Sequence, residues 1–193
     1  RLNTPATVET LRALDPYGVV VACGGDQIVP NIPGVDRSNV YYIEDVLMGR
    51  VSFEGKNIAV IGGGHVGLEV AHYLCADNQV TVVEMQKEVG VTIYRTARYK
   101  LLSLLAESGV EVLTEHAIAG VTDGAVELKK TDTGEVVTRP ADIVIMALGN
   151  RPDKSYEQQL KDAFDKVVFV GDANKGGTMA DATLSAYENC WFF

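Results

Sequence analysis

The chain has few cysteines, no long apolar run and a deficit of positive charge. Its three cysteines, Cys23, Cys75 and Cys190, are far apart and form no Cys-x-x-Cys pair, which argues against a disulfide framework, a zinc site or an iron–sulfur site within this chain. No apolar run approaches the roughly 20 residues that cross a bilayer, and no secretory signal is visible. A net charge of -9 without a basic patch makes nucleic-acid binding a poor fit. The composition therefore predicts a globular protein in a reducing, cytoplasmic setting, without membrane or nucleic-acid partners.

One segment, residues 57–84, combines a glycine-rich turn with two apolar strands. Residues 58–61 form a short apolar run, which is typical of a strand buried on both faces. The run leads directly into Gly62, Gly64 and Gly67, which are spaced Gly-x-Gly-x-x-Gly. A helical stripe of apolar residues follows, and a second strand then ends at Glu84.

The chemistry of a dinucleotide explains this spacing. Gly62 permits a tight turn out of the strand, Gly64 leaves room for a pyrophosphate beside the backbone, and Gly67 lets the helix lie close to the strand. The first turn of that helix presents free N–H groups to the phosphates. Glu84 can accept hydrogen bonds from a ribose diol and would repel a 2′-phosphate, so NADH is predicted in preference to NADPH. The alternative is a glycine turn that binds nothing.

The rest of the pattern predicts an α/β, Rossmann-like domain from about residue 55 to residue 150. A helix over 96–108 and a strand over 110–113 follow the glycine segment. Three alternating segments separated by Asp-Gly and Thr-Gly turn signals then predict an antiparallel meander over 116–139. Outside this region we expect helices over 7–14, 156–164 and 178–189, strands over 17–22 and 167–170, and a surface loop over 26–39.

Two strand ends resemble each other within the chain. Residues 21–25 read Val-Ala-Cys-Gly-Gly, and residues 146–149 read Met-Ala-Leu-Gly. Either one alone would be an ordinary strand-to-loop turn. With a complete nucleotide unit between them, the two together suggest an internal duplication.

Together these segments resemble the two-dinucleotide-binding-domain, FAD/NAD(P)-binding flavoproteins. The likeness is greatest to the carboxyl-terminal portion of the old-yellow-enzyme-like NADH:flavin oxidoreductases, which include 2,4-dienoyl-CoA reductase, trimethylamine dehydrogenase and the enoate reductases. The matching segments follow the family's order along almost the whole chain and are residues 21–25, 30–34, 61–69, 82–85, 147–152 and 170–173.

The resemblance implies a three-layer NAD(P)-binding Rossmann domain with an antiparallel β-meander, residues 51–150, flanked by two partial FAD-domain segments, 1–50 and 151–193. It implies that Asp172 holds FAD, that Met179 faces the flavin ring and that Glu69 lies near the contact between nicotinamide and flavin. His65 takes a variable loop position and is expected to face solvent. The predicted cofactor-binding residues are Gly62, Gly63, Gly64, His65, Val66, Gly67, Glu69, Glu84, Met85, Ala147, Leu148 and Gly149 for NAD(H), and Ala22, Gly24, Gly171, Asp172 and Met179 for FAD. No catalytic acid or base and no metal ligand is assigned, because hydride transfer is the chemistry of the cofactors.

The chain also departs from that family pattern. It carries no second glycine fingerprint for FAD, no FMN-binding barrel and no iron–sulfur cysteines. The FAD site is therefore expected to be incomplete here, and FMN and an iron–sulfur cluster are expected only in a longer parent. Cys23 and Leu148 replace a threonine common in the family. The start at Arg1 and the apolar end at residues 191–193 also suggest a fragment.

Three functional hypotheses follow. The first is an NADH-binding, electron-input module of a flavin-dependent oxidoreductase whose parent reduces an enoate or dienoyl-CoA type substrate. Its partners would be NADH and the remaining parent domains, with oligomerisation left open. The second is an NAD(H)-binding sensor or scaffold without catalysis, which would not need the flavin-side residues at 22–25 and 171–172. The third is an NAD-binding domain that is inactive because it is separated from its parent.

Overall fold

The computed structural model describes residues 1–191 and divides into two units. The larger unit is Val29–Leu148, and the smaller joins Arg1–Ile28 to the chain from Gly149 onward. Phe192 and Phe193, which belong to the predicted apolar terminus, lie outside the described residues. The units divide after residues 28 and 148, whereas the predicted domain boundaries follow residues 50 and 150. Assignment of the units to NAD(P) and FAD stays a prediction.

The elements agree closely with the sequence pattern. In chain order they are α1 (Val8–Arg12), β1 (Val19–Val21), β2 (Gly25–Gln27), β3 (Val40–Tyr42), α2 (Ile43–Leu47), β4 (Asn57–Ile61), α3 (His65–Leu74), β5 (Gln79–Val83), α4 (Arg95–Glu107), β6 (Glu111–Leu113), β7 (His116–Thr122), β8 (Ala125–Lys130), β9 (Val136–Pro140), β10 (Ile143–Met146), β11 (Asn150–Pro152), α5 (Glu157–Ala163), β12 (Val167–Phe169), a 3₁₀ turn (Gly171–Ala173) and α6 (Met179–Cys190).

A five-stranded parallel sheet in the spatial order β3-β10-β4-β5-β6 forms the centre of the larger unit. Alternate residues of β4 face opposite sides of this sheet. Ile58 and Val60 join a core cluster with Leu68 of α3. Ala59 joins a second cluster with Leu128 of the meander β7-β8-β9. Helices thus cover one face and the meander the other, and burial of each leucine contributes about 1.5–3 kcal/mol. The predicted α/β, Rossmann-like fold is confirmed.

The smaller unit contains two short two-stranded sheets. β1 pairs in parallel with β12, and β2 pairs antiparallel with β11. The β2 pairing corrects the prediction that residues 26–39 are all loop. The β2 and β11 segments carry glycine, charged residues and a proline. Neither shows the alternation of apolar and polar residues that predicts a strand from sequence. Their partnership depends on residues more than a hundred positions apart.

Within residues 1–191, no helix is long and apolar enough to cross a bilayer. In the same part of the chain, no group of three or more His, Cys, Asp or Glu residues is placed to hold a metal ion. The thiols of Cys23, Cys75 and Cys190 are all free.

Asp142 joins the beginnings of β10 and β4. Its Oδ2 accepts hydrogen bonds from the backbone N–H of Asn57 at 2.8 Å and from Nδ2 of Asn57 at 3.2 Å. The backbone bond first, and then the side-chain bond, lower the pKa of the Asp142 carboxyl. Because this pKa is lower in the folded than in the unfolded chain, the stabilisation is present above the unfolded pKa of about 3.9. It is lost as the pH falls through the lower, folded pKa.

We therefore expect Asp142→Asn to be less stable than the wild type at neutral pH, with the difference closing in acid. Urea denaturation at a series of pH values measures it. Asp36→Asn, at an exposed aspartate, is the matched control and should show little difference. A stability gap for Asp142→Asn that persisted unchanged in acid would contradict the assignment.

Candidate functional site

The backbone around the turn between β4 and α3 leaves no space for side chains at Gly62 and Gly67. Gly62 has a φ of +115°, and a Cβ there would collide with the backbone carbonyl of Ala147 at the end of β10. A Cβ on Gly67 would collide with the carbonyl oxygen of Gly62. The turn out of the strand and the close approach of the helix therefore both require glycine, for the structural reasons that the spacing predicts.

Gly63 is held on both sides of its backbone. Its N–H donates to Glu84 Oε2 at 2.7 Å, and its carbonyl accepts from the N–H of Gly90 at 2.7 Å. A Cβ on Gly63 would lie 2.5 Å from Val89 Cγ1. The spacing of the motif does not reveal the contacts with Val89 and Gly90, because they come from a loop with no regular pattern.

Gly64 differs from its neighbours because a Cβ there would meet no atom within 4 Å. It is the N-cap residue of α3 and offers no side chain to cap the helix. The first N–H groups of a helix have no partner within it, and the first turn of α3 contains no acidic residue. The open space, the free amides and the lack of an acidic residue in the first turn of α3 suit a diphosphate.

Glu84 follows β5, and its carboxylate faces the glycine turn. Oε2 accepts from Gly63 as described, and Oε1 accepts from the backbone N–H of Gln86 at 2.9 Å. The backbone is also fixed, since Glu84 N donates to Leu113 O at 2.9 Å and its carbonyl accepts from His116 N at 3.0 Å. A carboxylate has about four acceptor positions. The remaining two can accept hydrogen bonds from ribose hydroxyls.

His65, Val66 and Glu69 are exposed on the first turns of α3. His65 is the first residue of the helix, which corrects its assignment to the loop, and it faces solvent as predicted. Its Nε2 lies 3.2 Å from Glu69 Oε1. Both side chains are largely exposed, so this pair contributes little to stability.

The other residues predicted to bind NAD(H) are divided between the two units. Ala147 follows β10 and donates its N–H to Ile61 O at 2.8 Å, which places it beside the glycine turn. The side chain of Leu148 packs against the core cluster on the meander side. Met85 is exposed next to Glu84. Gly149 belongs to the smaller unit.

The residues predicted to hold FAD lie in the smaller unit. Ala22 is exposed, and Gly24 and Gly171 have positive φ angles of 82° and 56°. Asp172 Oδ1 accepts from Gly177 N at 3.2 Å. Met179 begins α6 and is 88% exposed.

The start of α6 is chemically unlike the start of α3. Thr178 Oγ1 accepts from the N–H of Asp181 at 3.2 Å, and Asp181 Oδ2 accepts from the N–H of Thr178 at 2.7 Å, which together form a capping box. The Thr178 hydroxyl and N–H lower the pKa of the Asp181 carboxyl, so a negative charge stays in the first turn. This helix start suits a neutral ring better than a phosphate.

The comparison with known families agrees with this geometry. A family model described as pyridine nucleotide-disulphide oxidoreductase matches residues 6–172. The chain belongs to this family. Pyridine nucleotide-disulphide oxidoreductases bind FAD and NAD(P)H, so the family membership supports a flavoprotein oxidoreductase with a Rossmann-like nucleotide-binding domain.

Three known proteins illustrate the likeness. The NADH oxidase of Thermoanaerobacter brockii is 30% identical over 196 residues, which cover 99% of this chain and 30% of that protein. The cinnamate reductase of Clostridium sporogenes is 30% identical over 192 residues, covering 97% of this chain and 28% of that protein. A solved 2-naphthoyl-CoA reductase complex has a TM-score of 0.83 and 28% identity, covering 97% of this chain and 28% of that chain. The chain thus spans less than a third of these relatives.

Proposed function

We propose that this chain is the NADH-binding, electron-input module of a flavin-dependent oxidoreductase. The observation that carries the proposal is the hydrogen bond from the Gly63 N–H to the Glu84 carboxylate. It places an acid with free acceptor positions beside a helix start that has uncapped amides. A ribose diol and a diphosphate are adjacent in a dinucleotide, and the two halves of this site have the chemistry to bind them.

The main parts of the predicted NAD(H) site have separate roles in this proposal. Gly64 and the first turn of α3 would hold the diphosphate, Glu84 the adenosine ribose, and the backbone at Ala147 and Leu148 the nicotinamide half. The hydride chemistry is that of the cofactors, with NADH as donor and FAD as acceptor. The chain supplies position and needs no general acid or base. A reducing, cytoplasmic setting belongs to the same proposal and fits its free thiols.

We infer that the parent protein is an old-yellow-enzyme-like reductase acting on an enoate or dienoyl-CoA type substrate. The names of two relatives support this class, since one reduces cinnamate and the other 2-naphthoyl-CoA. The name NADH oxidase shows that relatives differ in electron acceptor. FMN and an iron–sulfur cluster would belong to the part of the parent outside this chain.

The topology of the smaller unit supports an incomplete FAD domain. β1 and β10 are each followed by an Ala-x-Gly segment. β10 has parallel neighbours on both sides, one of which is β4, the strand that leads into the glycine turn. In the described residues β1 pairs only with β12. Because parallel sheets of two strands are marginal, we expect the remaining parent domains to supply a further strand beside β1.

Titration of the chain with NADH, NADPH and FAD tests the proposal. We expect NADH to bind with a dissociation constant between about a micromolar and a millimolar, NADPH to bind more weakly, and FAD to bind poorly without the rest of the parent. Tighter binding of NADPH would overturn the role of Glu84. NADH binding by a full-length parent that holds no flavin would favour the sensor or scaffold hypothesis.

A further inference from the structure

The carbonyl group of Gly63 is positioned by the loop after β5 and not by the strand and helix that flank the glycine turn. Gly90 donates its N–H to the Gly63 carbonyl at 2.7 Å. The neighbouring Val89 side chain is buried and lies where a Gly63 side chain would be. The loop over residues 85–94 therefore contacts Gly63 through the backbone hydrogen bond from Gly90 and the apolar side chain of Val89.

That loop is held in turn by a cation from α4. Arg98 Nε donates to the carbonyl oxygen of Val89 at 2.8 Å, and Arg98 Nη2 donates to Glu88 Oε2 at 2.8 Å. The Arg98 side chain is 28% exposed, whereas that of Glu88 is 64% exposed. The ion pair with the exposed Glu88 is worth little, but a bond from a charged donor to a partly buried carbonyl is a strong one.

We propose that Arg98 is a positioning residue for dinucleotide binding, acting on Gly63 through Val89 and Gly90. The inference rests on the proposed function, because it assumes that the turn at Gly62–Gly67 holds the diphosphate. Arg98 itself needs no contact with the ligand. It fixes the carbonyl of Gly63 through Gly90, while Glu84 fixes the N–H of the same residue, and the two together hold the orientation of the amides that follow.

The geometry explains why this position is an arginine. Two donors on one planar guanidinium reach two acceptors on consecutive residues, a backbone carbonyl and a carboxylate. A lysine ammonium is a single point of donation on a flexible stem and cannot reproduce that fork. Removing the arginine leaves the Val89–Gly90 segment free to move, and a binding loop that must be ordered by its ligand binds more weakly.

Arg98→Met tests the proposal because it keeps much of the aliphatic stem and removes both donors. We expect the dissociation constant for NADH to rise about fivefold, at a temperature where circular dichroism shows the variant folded. We also expect faster amide hydrogen exchange at Gly63 and Gly90 without ligand. Arg98→Lys should recover part of both losses. Arg95→Met, at an exposed arginine on the same helix, changes the charge equally and should leave both quantities unchanged.

The exchange measurement separates this proposal from the function on which it rests. If the wild-type chain does not bind NADH, the proposed function fails. Amide exchange at Gly63 still reports whether Arg98 orders the turn through Val89 and Gly90. A folded Arg98→Met chain with wild-type NADH affinity and wild-type exchange at Gly63 and Gly90 would overturn the proposal. If Arg98→Met does not fold, Arg98→Lys gives the same test, and unchanged exchange and affinity in that variant overturn it.

Discussion

Replacing Gly62 with alanine is expected to lower the free energy of unfolding by about 2–6 kcal/mol. The backbone has a φ of +115° at this position, and an alanine held in such a conformation costs on the order of 1–3 kcal/mol. The added methyl group also collides with the Ala147 carbonyl. Relief of that collision requires a shift of the backbone between β4 and β10, which costs roughly another 1–3 kcal/mol.

The matched control for this prediction is Gly64→Ala, two residues along the same turn. Gly64 has an extended backbone with a φ of -71°, and a Cβ there meets open space. We expect its stability to change by less than about 1 kcal/mol, while NADH affinity falls because the methyl group takes the space of the diphosphate. Urea denaturation and NADH titration of both variants measure the contrast. Equal loss of stability in the two would refute this division of roles.

Glu84→Gln is expected to lower the preference for NADH over NADPH by roughly 30-fold. The amide removes the negative charge that disfavours a 2′-phosphate, so NADPH binding improves. It also replaces one acceptor by a donor. The ribose diol of NADH then meets an amide with fewer acceptor positions than the carboxylate, so NADH affinity should fall about tenfold.

Parallel titrations of the wild type and Glu84→Gln with NADH and NADPH check this prediction at a temperature where both are folded. Glu54→Gln is the matched control, because Glu54 is exposed and lies before β4, at the opposite end of that strand from the glycine turn. It changes the net charge equally and should keep the wild-type preference. A Glu84→Gln chain that still preferred NADH to the wild-type degree would show that the carboxylate does not select the coenzyme.

These predictions assign separate tasks to residues that are adjacent in sequence. Gly62 and Gly67 are required by the packing of the chain on itself, Gly63 by the loop at Val89, and only Gly64 leaves space for a ligand. The Gly-x-Gly-x-x-Gly spacing does not distinguish these tasks. They appear only when the neighbours of each glycine are known, and the neighbours come from β10, from α3 and from the loop after β5.

The sequence by itself determined most of the elements of the larger unit. Four consecutive apolar residues predict the buried strand β4, a 3.6-residue stripe predicts α3, and alternation with glycine turns predicts the meander. Each of these signals lies within a short window, because side-chain periodicity is a local property of helices and strands. The acid at Glu84 was also identified from the sequence, since its position depends only on the length of one strand–helix–strand unit.

The tertiary structure alone decided which segments of the chain meet. The pairing of β2 with β11, the placement of β3 beside β10 and the contact of Arg98 with Val89 join parts of the chain that have no shared pattern. Two of these are backbone pairings, which almost any residue can make because only proline lacks the backbone N–H donor. The third is a bond from a side chain to a carbonyl whose position depends on how α4 packs. For that reason the sequence predicts where a dinucleotide would lie, and the folded chain shows which residues contact the glycine turn.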